Sequence, residues 1–326
     1  MQSESQPLQV LYGIDGHYTD VTRLAKLLIF DEVLYIREGD LFRCTLFGGD
    51  PLPGVLKHVK IIFGNQTKYV LACSSIQFPV PGIDVPLYPE NRIKAHEIAL
   101  NSNLSEMDRL AQIHQLINPT FFVDMRHEYN EQLMNLKFVK PNAKVLELGS
   151  NVGCNALLIA SILDDDRNLV TLETDPDTYT ILNYNKKRNG YNFHSVNAAL
   201  SARRIIQQGH FSRVSDQTPH NAFVPNIIGF DDLQKAYDIE FDTLVLDCEG
   251  AIYNILKDFP HMLDNIHTIS IENDFLKYEE YVETHAFLKE KGFESVYTQS
   301  GNPGHFCSQS FFQVVQRNIG KGKEEV

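Results

Sequence analysis

Apolar positions along this chain follow two rhythms. Up to about Ser75 they come in short β-branched and aromatic runs, at 8–14, 32–37, 59–63 and 69–72, which predict strands. Gly64-Asn65-Gln66-Thr67 lies between the last two and predicts a hairpin turn, and 48–54, Gly-Gly-Asp-Pro-Leu-Pro-Gly, predicts a strongly bent loop. Four prolines, Pro79, Pro81, Pro86 and Pro89, make 78–91 a stiff extended spacer. Beyond it the rhythm is helical. Ile93, Ile98, Leu104, Leu110, Ile113 and Leu116 predict a helix over 92–116, and 127–136 predicts a second before Lys140-Pro141-Asn142.

From Lys144 onward, strand and helix alternate. The run 145–148 breaks into a glycine-containing loop, 149–153. An apolar helical run over 156–163 follows, then a strand at 169–172 that ends in Glu173. Asp175-Pro176 opens a helix that Asn189-Gly190 closes. Strands follow at 193–196, 241–247, 267–271, 293–297 and 310–317, with helices at 250–259 and 275–291 and a polar, irregular stretch at 200–225. Seven strands, the last two joined without a helix, predict an α/β doubly wound, Rossmann-like sheet ending in an antiparallel hairpin. The chain divides into a β-rich accessory domain (1–77), the spacer (78–91), the α/β domain (92–318) and a charged, disordered tail (319–326).

Composition narrows the function. With 42 acidic against 29 basic residues the net charge is −13, which argues against a nucleic-acid partner gripped by many phosphate contacts. The five cysteines include no C-x-x-C pair, which points away from a structural zinc site or disulfide framework and toward a reducing, cytoplasmic setting. The start is polar, without a secretory signal pattern, and no apolar run is long enough to span a bilayer.

In open α/β sheets the ligand sits beyond the carboxyl ends of the strands. That makes 147–153, Glu173, 197–199, 247–250 and 272–274 the candidates. Counting from Gly149, a dinucleotide fingerprint needs glycine where this chain has Asn151 and Cys154, so the loop reads E-x-G-x-N-x-G. An acid at the first strand end repels a pyrophosphate and suits a cationic, amino-acid-bearing cofactor such as S-adenosylmethionine. Glu173, 20 residues after Gly153, is placed to accept hydrogen bonds from ribose hydroxyls.

Four blocks carry a family resemblance. Glu147-Leu148-Gly149-Ser150-Asn151-Val152-Gly153, Leu172-Glu173-Thr174-Asp175-Pro176, Asn197-Ala198-Ala199-Leu200-Ser201 and Asp247-Cys248-Glu249-Gly250-Ala251 resemble the FkbM-like methyltransferases, over about 124–316. The resemblance implies a class I methyltransferase sheet and S-adenosylmethionine-dependent O-methylation, with a carbohydrate or glycoconjugate substrate. It implies that Glu147, Gly149, Asn151 and Gly153 contact the methionine part, with Ser150 in the same cradle. It further implies Glu173 on the ribose, Asn197, Ala198 and Ala199 near the adenine, and Asp247 facing the donor methyl. The family's longer aromatic signature near 207–216 is replaced here by Gly209-His210-Phe211, in a chain without tryptophan, which leaves the acceptor open.

For catalysis the expectation is Asp247 as base or metal ligand, supported by Glu249, Glu272 and Asn273. Glu249 is equally suited to capping the next helix. Asp247, Glu272 and Asn273 also form a candidate Mg²⁺ set. His210, His220 and His305 are weaker base candidates, and Cys154 reads as packing. Cys248 lacks the preceding proline of cytosine-C5 enzymes, and no Asn/Asp-Pro-Pro-aromatic motif follows the fourth strand. Tyr12-Gly13, Asp20-Val21-Thr22 and the 47–57 stretch resemble, within 8–75, a β domain of DnaJ-type co-chaperones, which implies a binding module with a protein or glycan partner. The competing readings are a methyltransferase for a small metabolite or lipid, a non-catalytic scaffold acting through the β module, and an NAD-dependent oxidoreductase.

Overall fold

A computed structural model describes residues 7–317 apart from 31, 37, 41–42, 45–46, 84–87 and 118–124. The start of the chain, the tail, the middle of the spacer and residue 124, where the resembling region begins, therefore lie outside the described residues. In the N-terminal part the strands are β1 (Leu8–Ile14), β2 (His17–Asp20), β3 (Ile29–Phe30), β4 (Val33–Ile36), β5 (His58–Phe63), β6 (Gln66–Val70) and β7 (Ile76–Pro79), with a short helix α1 (Thr22–Ala25). They form two antiparallel sheets, ordered β2-β1-β5-β6 and β3-β4-β7. Both feed one core that includes Val10, Leu34, Ile36, Val59 and Ile61. The predicted hairpin is present and tighter than expected: Phe63 pairs with Gln66, so Gly64 and Asn65 alone make the turn. The bent 48–54 loop folds over a buried lysine. The Lys57 ammonium sits 3.0 Å from Asp40 and 2.8 Å from Asp50, and donates to the carbonyls of Leu52 and Val55. A charge this deeply buried persists only when paired and hydrogen-bonded.

The predicted 92–116 helix is two: α2 (Glu90–Ala99) and α3 (Glu106–Leu116). The polar Asn101-Ser102-Asn103 stretch interrupts the apolar spacing, and Ser105 restarts it by accepting the Asp108 backbone N–H at 3.2 Å. Then come α4 (Tyr129–Phe138), β8 (Val145–Leu148), α5 (Cys154–Ile162), β9 (Leu169–Leu172), α6 (Pro176–Arg188), β10 (His194–Val196), β11 (Ala199–Leu200), β12 (Ile205–Gln208), β13 (Phe211–Val214) and β14 (Ile227–Ile228). The chain closes with α7 (Phe230–Tyr237), β15 (Thr243–Leu246), α8 (Ile252–Asp258), β16 (Thr268–Glu272), α9 (Tyr278–Glu290), β17 (Phe293–Gln299) and β18 (Phe312–Arg317).

The seven-stranded sheet runs β10-β9-β8-β15-β16-β18-β17. Five strands are parallel, and β18 inserts antiparallel between β16 and β17. This is the predicted doubly wound, Rossmann-like α/β sheet. Every residue of β8, β9 and β15 is buried, as a parallel sheet covered on both faces demands. Alternation assigns the faces. Val145 and Val245 point into the core under α2 to α6, whereas Leu146, Leu148, Leu244 and Leu246 point into the core under α7 to α9. β8 is the switch point: its loop turns one way and that of β15 the other, opening a crevice between them.

The stretch expected to be irregular, 200–225, is irregular at 201–204 and over most of 215–225 but holds a regular hairpin between them. Gln208 pairs with Phe211 across a two-residue Gly209-His210 turn, so β12 and β13 form a hairpin, which the Gln207–Phe223 bridge pins down. Ala199 and Leu200 pair in parallel with Ile227 and Ile228, fastening the two ends of the excursion to each other. Among the described residues no helix is long and apolar enough to cross a membrane.

Candidate active site

A cavity of about 840 Å³ opens at the carboxyl ends of β8, β9 and β15 and extends under the β12–β13 hairpin. Its first wall is the loop after β8. Gly149 has φ +92°, and a Cβ there would lie 1.6 Å from the Asp247 carbonyl oxygen. Only glycine lets the loop pass so close to β15. Asn151 is also left-handed, at φ +49°, and its side chain accepts the Val152 backbone N–H at 2.9 Å. Asparagine tolerates that conformation better than most residues because its short side chain bonds locally.

Glu173, just past β9, is held by the backbone. Its Oε2 accepts from the Asn151 N–H at 2.9 Å and its Oε1 from the Asp175 N–H at 2.8 Å. Burial pushes its carboxyl up to about 7, against the lowering effect of those N–H groups. Asn197 acts behind it: its Nδ2 donates to the Glu173 and Thr174 carbonyls at 2.9 and 3.1 Å. Gly149, Asn151, Glu173, Ala198, Ala199 and Asp247 line the cavity; Glu147, Ser150, Gly153 and Asn197 do not.

Those four stand behind the residues that line the cavity. Glu147 is 1 % exposed and accepts the Thr171 hydroxyl on Oε2, and burial pushes its carboxyl up to about 8. Ser150 is buried, and Gly153 is the N-cap residue just before α5.

The second wall is acidic. Leu246 pairs with Ile271, so the next residues, Asp247 and Glu272, stand side by side on the face shared with Val245. Helix α4 lies across that face and buries Glu131. The carboxylates of Glu131, Asp247 and Glu272 place ligand atoms within 4.8 Å of one another. Burial raises the Asp247 carboxyl, with the charges of Glu131 and Asp274 adding to it. Glu272 is raised by burial, by its contact with Glu131 and by the charge of Asp247. Glu128, one turn before Glu131, is raised by burial and then by Glu131, and accepts the Asn155 backbone N–H at 3.1 Å.

Glu249 lines the cavity in a left-handed conformation, φ +52°, a strained geometry of the kind that gathers at functional sites. No side-chain cap is formed at the start of α8. Burial raises the Glu249 carboxyl, and the influence of His210 lowers it; both line the same cavity, with His210 on the hairpin turn. Asp274, pushed up to about 7 by burial and then by Glu249, accepts the Gly250 N–H at 2.7 Å.

Asn273 is placed elsewhere than expected. The strand alternation turns its side chain to the opposite face from Glu272. There its Nδ2 donates to the Ser310 carbonyl at 2.7 Å, and its Oδ1 meets His285 Nε2 at 2.9 Å. It is fully buried and does not line the cavity, so it is not part of the acid set. The missing third member is Glu131. Its sequence signal was two glutamates, Glu128 and Glu131, three apart in the helix predicted over 127–136.

Of the histidines, His210 alone lines the cavity; His220 is exposed and His305 is engaged with the Phe275 carbonyl at 2.9 Å. Cys248 lines the cavity, but burial pushes its thiol up, which keeps it neutral.

No family model and no curated protein matches the chain. Solved structures similar to it include an O-methyltransferase from Bacillus cereus in complex with SAH, at 14% identity over 67% of this chain and 93% of that one, with a TM-score of 0.36. Others are a ribosomal protein L11 methylase from Lactobacillus delbrueckii subsp. bulgaricus (12% identity, 57% and 76% covered, TM-score 0.36) and an NADB-Rossmann superfamily protein from Streptococcus agalactiae (14% identity, 57% and 67% covered, TM-score 0.37). At these scores the likeness carries nothing about activity.

Proposed function

We propose that this chain is an S-adenosylmethionine-dependent O-methyltransferase acting on a hydroxyl of a sugar or glycan. The observation that carries the reading is a single cavity joining the Gly149 loop and Glu173 to the carboxylates at the end of β15. When bound, S-adenosylmethionine supplies a methyl group on a positively charged sulfur. The residues present fit that group. Glu173 turns a carboxylate fixed by two backbone N–H groups toward the site of the ribose hydroxyls. Leu172, Ile181, Ala198 and Ala199 offer apolar walls to a flat base. The excess of carboxylates favours a ligand bearing sulfonium and ammonium charges and disfavours a pyrophosphate.

Asp247 is the residue that faces the acceptor, as general base or as metal ligand. A raised carboxyl lies nearer to the operating pH, where proton transfer from a hydroxyl is most effective. The neutral Cys248 thiol is poorly suited to a nucleophilic role. The sugar or glycan assignment is supported by the resemblance of the four sequence blocks to FkbM-like enzymes. It is supported too by the polar wall of Gln207, Ser212, Glu249 and Asn254, which offers hydrogen bonds to hydroxyl groups. The acidity of the chain favours an acceptor other than nucleic acid.

The test has two parts. Calorimetry with S-adenosylhomocysteine is expected to show one site with a dissociation constant of about 1–100 μM. Labelled-methyl transfer is then screened against carbohydrate, lipid and small-metabolite panels. Binding of NADH in place of S-adenosylhomocysteine would overturn the cofactor assignment, and transfer confined to lipids or non-carbohydrate metabolites would overturn the acceptor assignment.

A further inference from the structure

The acid cluster holds more negative charge than a general base requires. Glu131, Asp247 and Glu272 converge on one point of the cavity wall, with their ligand atoms within 4.8 Å. Helix α4 and the ends of two adjacent strands supply them, so three separate elements place their charges together. None of the three forms an ion pair with a basic side chain among the described residues. A second observation lies beside them. Glu147 projects from β8 on the same sheet face, since it pairs with Val245, two residues before Asp247. It is 1 % exposed, and its Oε1 has no hydrogen-bond partner. The negative charge of Glu131 acts on it. A buried carboxyl oxygen with no hydrogen-bond partner, on the face that carries Asp247 and under the influence of Glu131, is polar capacity left unspent beside the cluster.

We propose that Glu131, Asp247 and Glu272 bind a hard divalent cation, Mg²⁺ or Mn²⁺, with the Glu147 carboxyl buried behind them. The chemistry of the set decides the class: oxygen ligands alone, without histidine or cysteine, select Mg²⁺, Mn²⁺ or Ca²⁺ over softer metals. This set differs from the Asp247, Glu272 and Asn273 expected from the sequence, because Asn273 is spent on the Ser310 carbonyl and His285 on the opposite face. The three ligands line the cavity, so the ion stands in its wall within reach of acceptor oxygens. That role rests on the methyltransferase reading; the binding of the ion does not.

The experiment uses the full chain stripped with EDTA and titrated with MnCl₂ alone, with free Mn²⁺ followed by electron paramagnetic resonance. One saturable site is expected, with a dissociation constant below about 1 mM and competition by Mg²⁺. Glu131→Gln and Glu272→Gln should each weaken it by about tenfold or more. Glu279→Gln, on the exposed surface of α9, should leave it unchanged. In EDTA both cluster variants should unfold at or above the wild-type temperature, because each takes one acid out of a crowded, buried set. Added Mn²⁺ should raise the unfolding temperature of the wild type alone. Absence of saturable binding, or equal binding by the variants, overturns the proposal. Variants that melt lower than wild type in EDTA do so as well, since the carboxylates would then be structural. S-adenosylhomocysteine titrated in EDTA reads the methyl-donor site separately.

Discussion

Glu147 offers the sharpest quantitative test of how this site is built. Its carboxyl is buried on the switch-point strand, and burial pushes it from its ordinary value near 4.5 up to about 8. The folded protein therefore keeps a proton that the unfolded chain has already released above about pH 5. Stability falls as pH climbs between those two values, by about 1.4 kcal/mol for each pH step. At pH 7 the loss amounts to about 3 kcal/mol, and above pH 8 to about 5 kcal/mol. Glu147→Gln removes the titration and keeps an oxygen to accept the Thr171 hydroxyl. Its new amide N–H₂ occupies the place of the unpartnered Oε1, at a cost of about 1–3 kcal/mol at every pH.

The two curves should therefore cross. The variant is the less stable protein near pH 5, and the more stable one near pH 8 by about 2–4 kcal/mol, or several degrees in unfolding temperature. Differential scanning calorimetry from about pH 5 to pH 8.5 in EDTA reads this directly. The diagnostic is the change in the gap between the curves. Parallel curves, or a gap that moves the other way, would show that Glu147 carries no raised carboxyl.

Three further outcomes follow from the site geometry. Gly149→Ala sets a Cβ 1.6 Å from the Asp247 carbonyl in a left-handed backbone; we expect a loss of about 2 kcal/mol or more in chemical denaturation and no measurable S-adenosylhomocysteine binding by calorimetry. Glu173→Gln keeps the shape and removes the charge that strengthens hydrogen bonds to a ribose, so the affinity for S-adenosylhomocysteine should fall by about tenfold to a hundredfold. Asp247→Asn should lower labelled-methyl turnover by about a hundredfold or more while leaving S-adenosylhomocysteine binding near wild type; a variant that still turns over would remove Asp247 from the chemistry.

Much of the fold was legible in one dimension because the alternation of short apolar runs with helical spacing is a local property. The core strands β8, β9 and β15 lie inside runs the pattern marks as buried, and Asp175-Pro176 opens α6 where its cap chemistry says it should, with the Asp175 side chain accepting the Thr178 N–H at 2.8 Å. Two places were misread for identifiable reasons. The 92–116 region carries a helical period through a polar break, and period alone does not show that Ser105 starts a new helix. The 200–225 region contains no long apolar run, so the Gly209-His210 turn that makes it a hairpin over the cavity was hidden by its polarity. Packing against the domain, not β-propensity, holds that hairpin in place.

The sequence by itself determined the α/β class, the glycine that the β8 loop needs, and the acids at the ends of β9, β15 and β16. These are set by residue type and by position relative to a strand end, which a linear reading can measure. Only the tertiary structure decided which of those acids share a space. Alternation put Glu147, Asp247 and Glu272 on one face and turned Asn273 to the other. The approach of α4 then brought Glu131 and Glu128 down upon Asp247 and Glu272, more than a hundred positions away in the chain. Which face a side chain takes depends on the strand's register, and which helix covers that face depends on the whole topology. Neither is written at the residue that carries the charge.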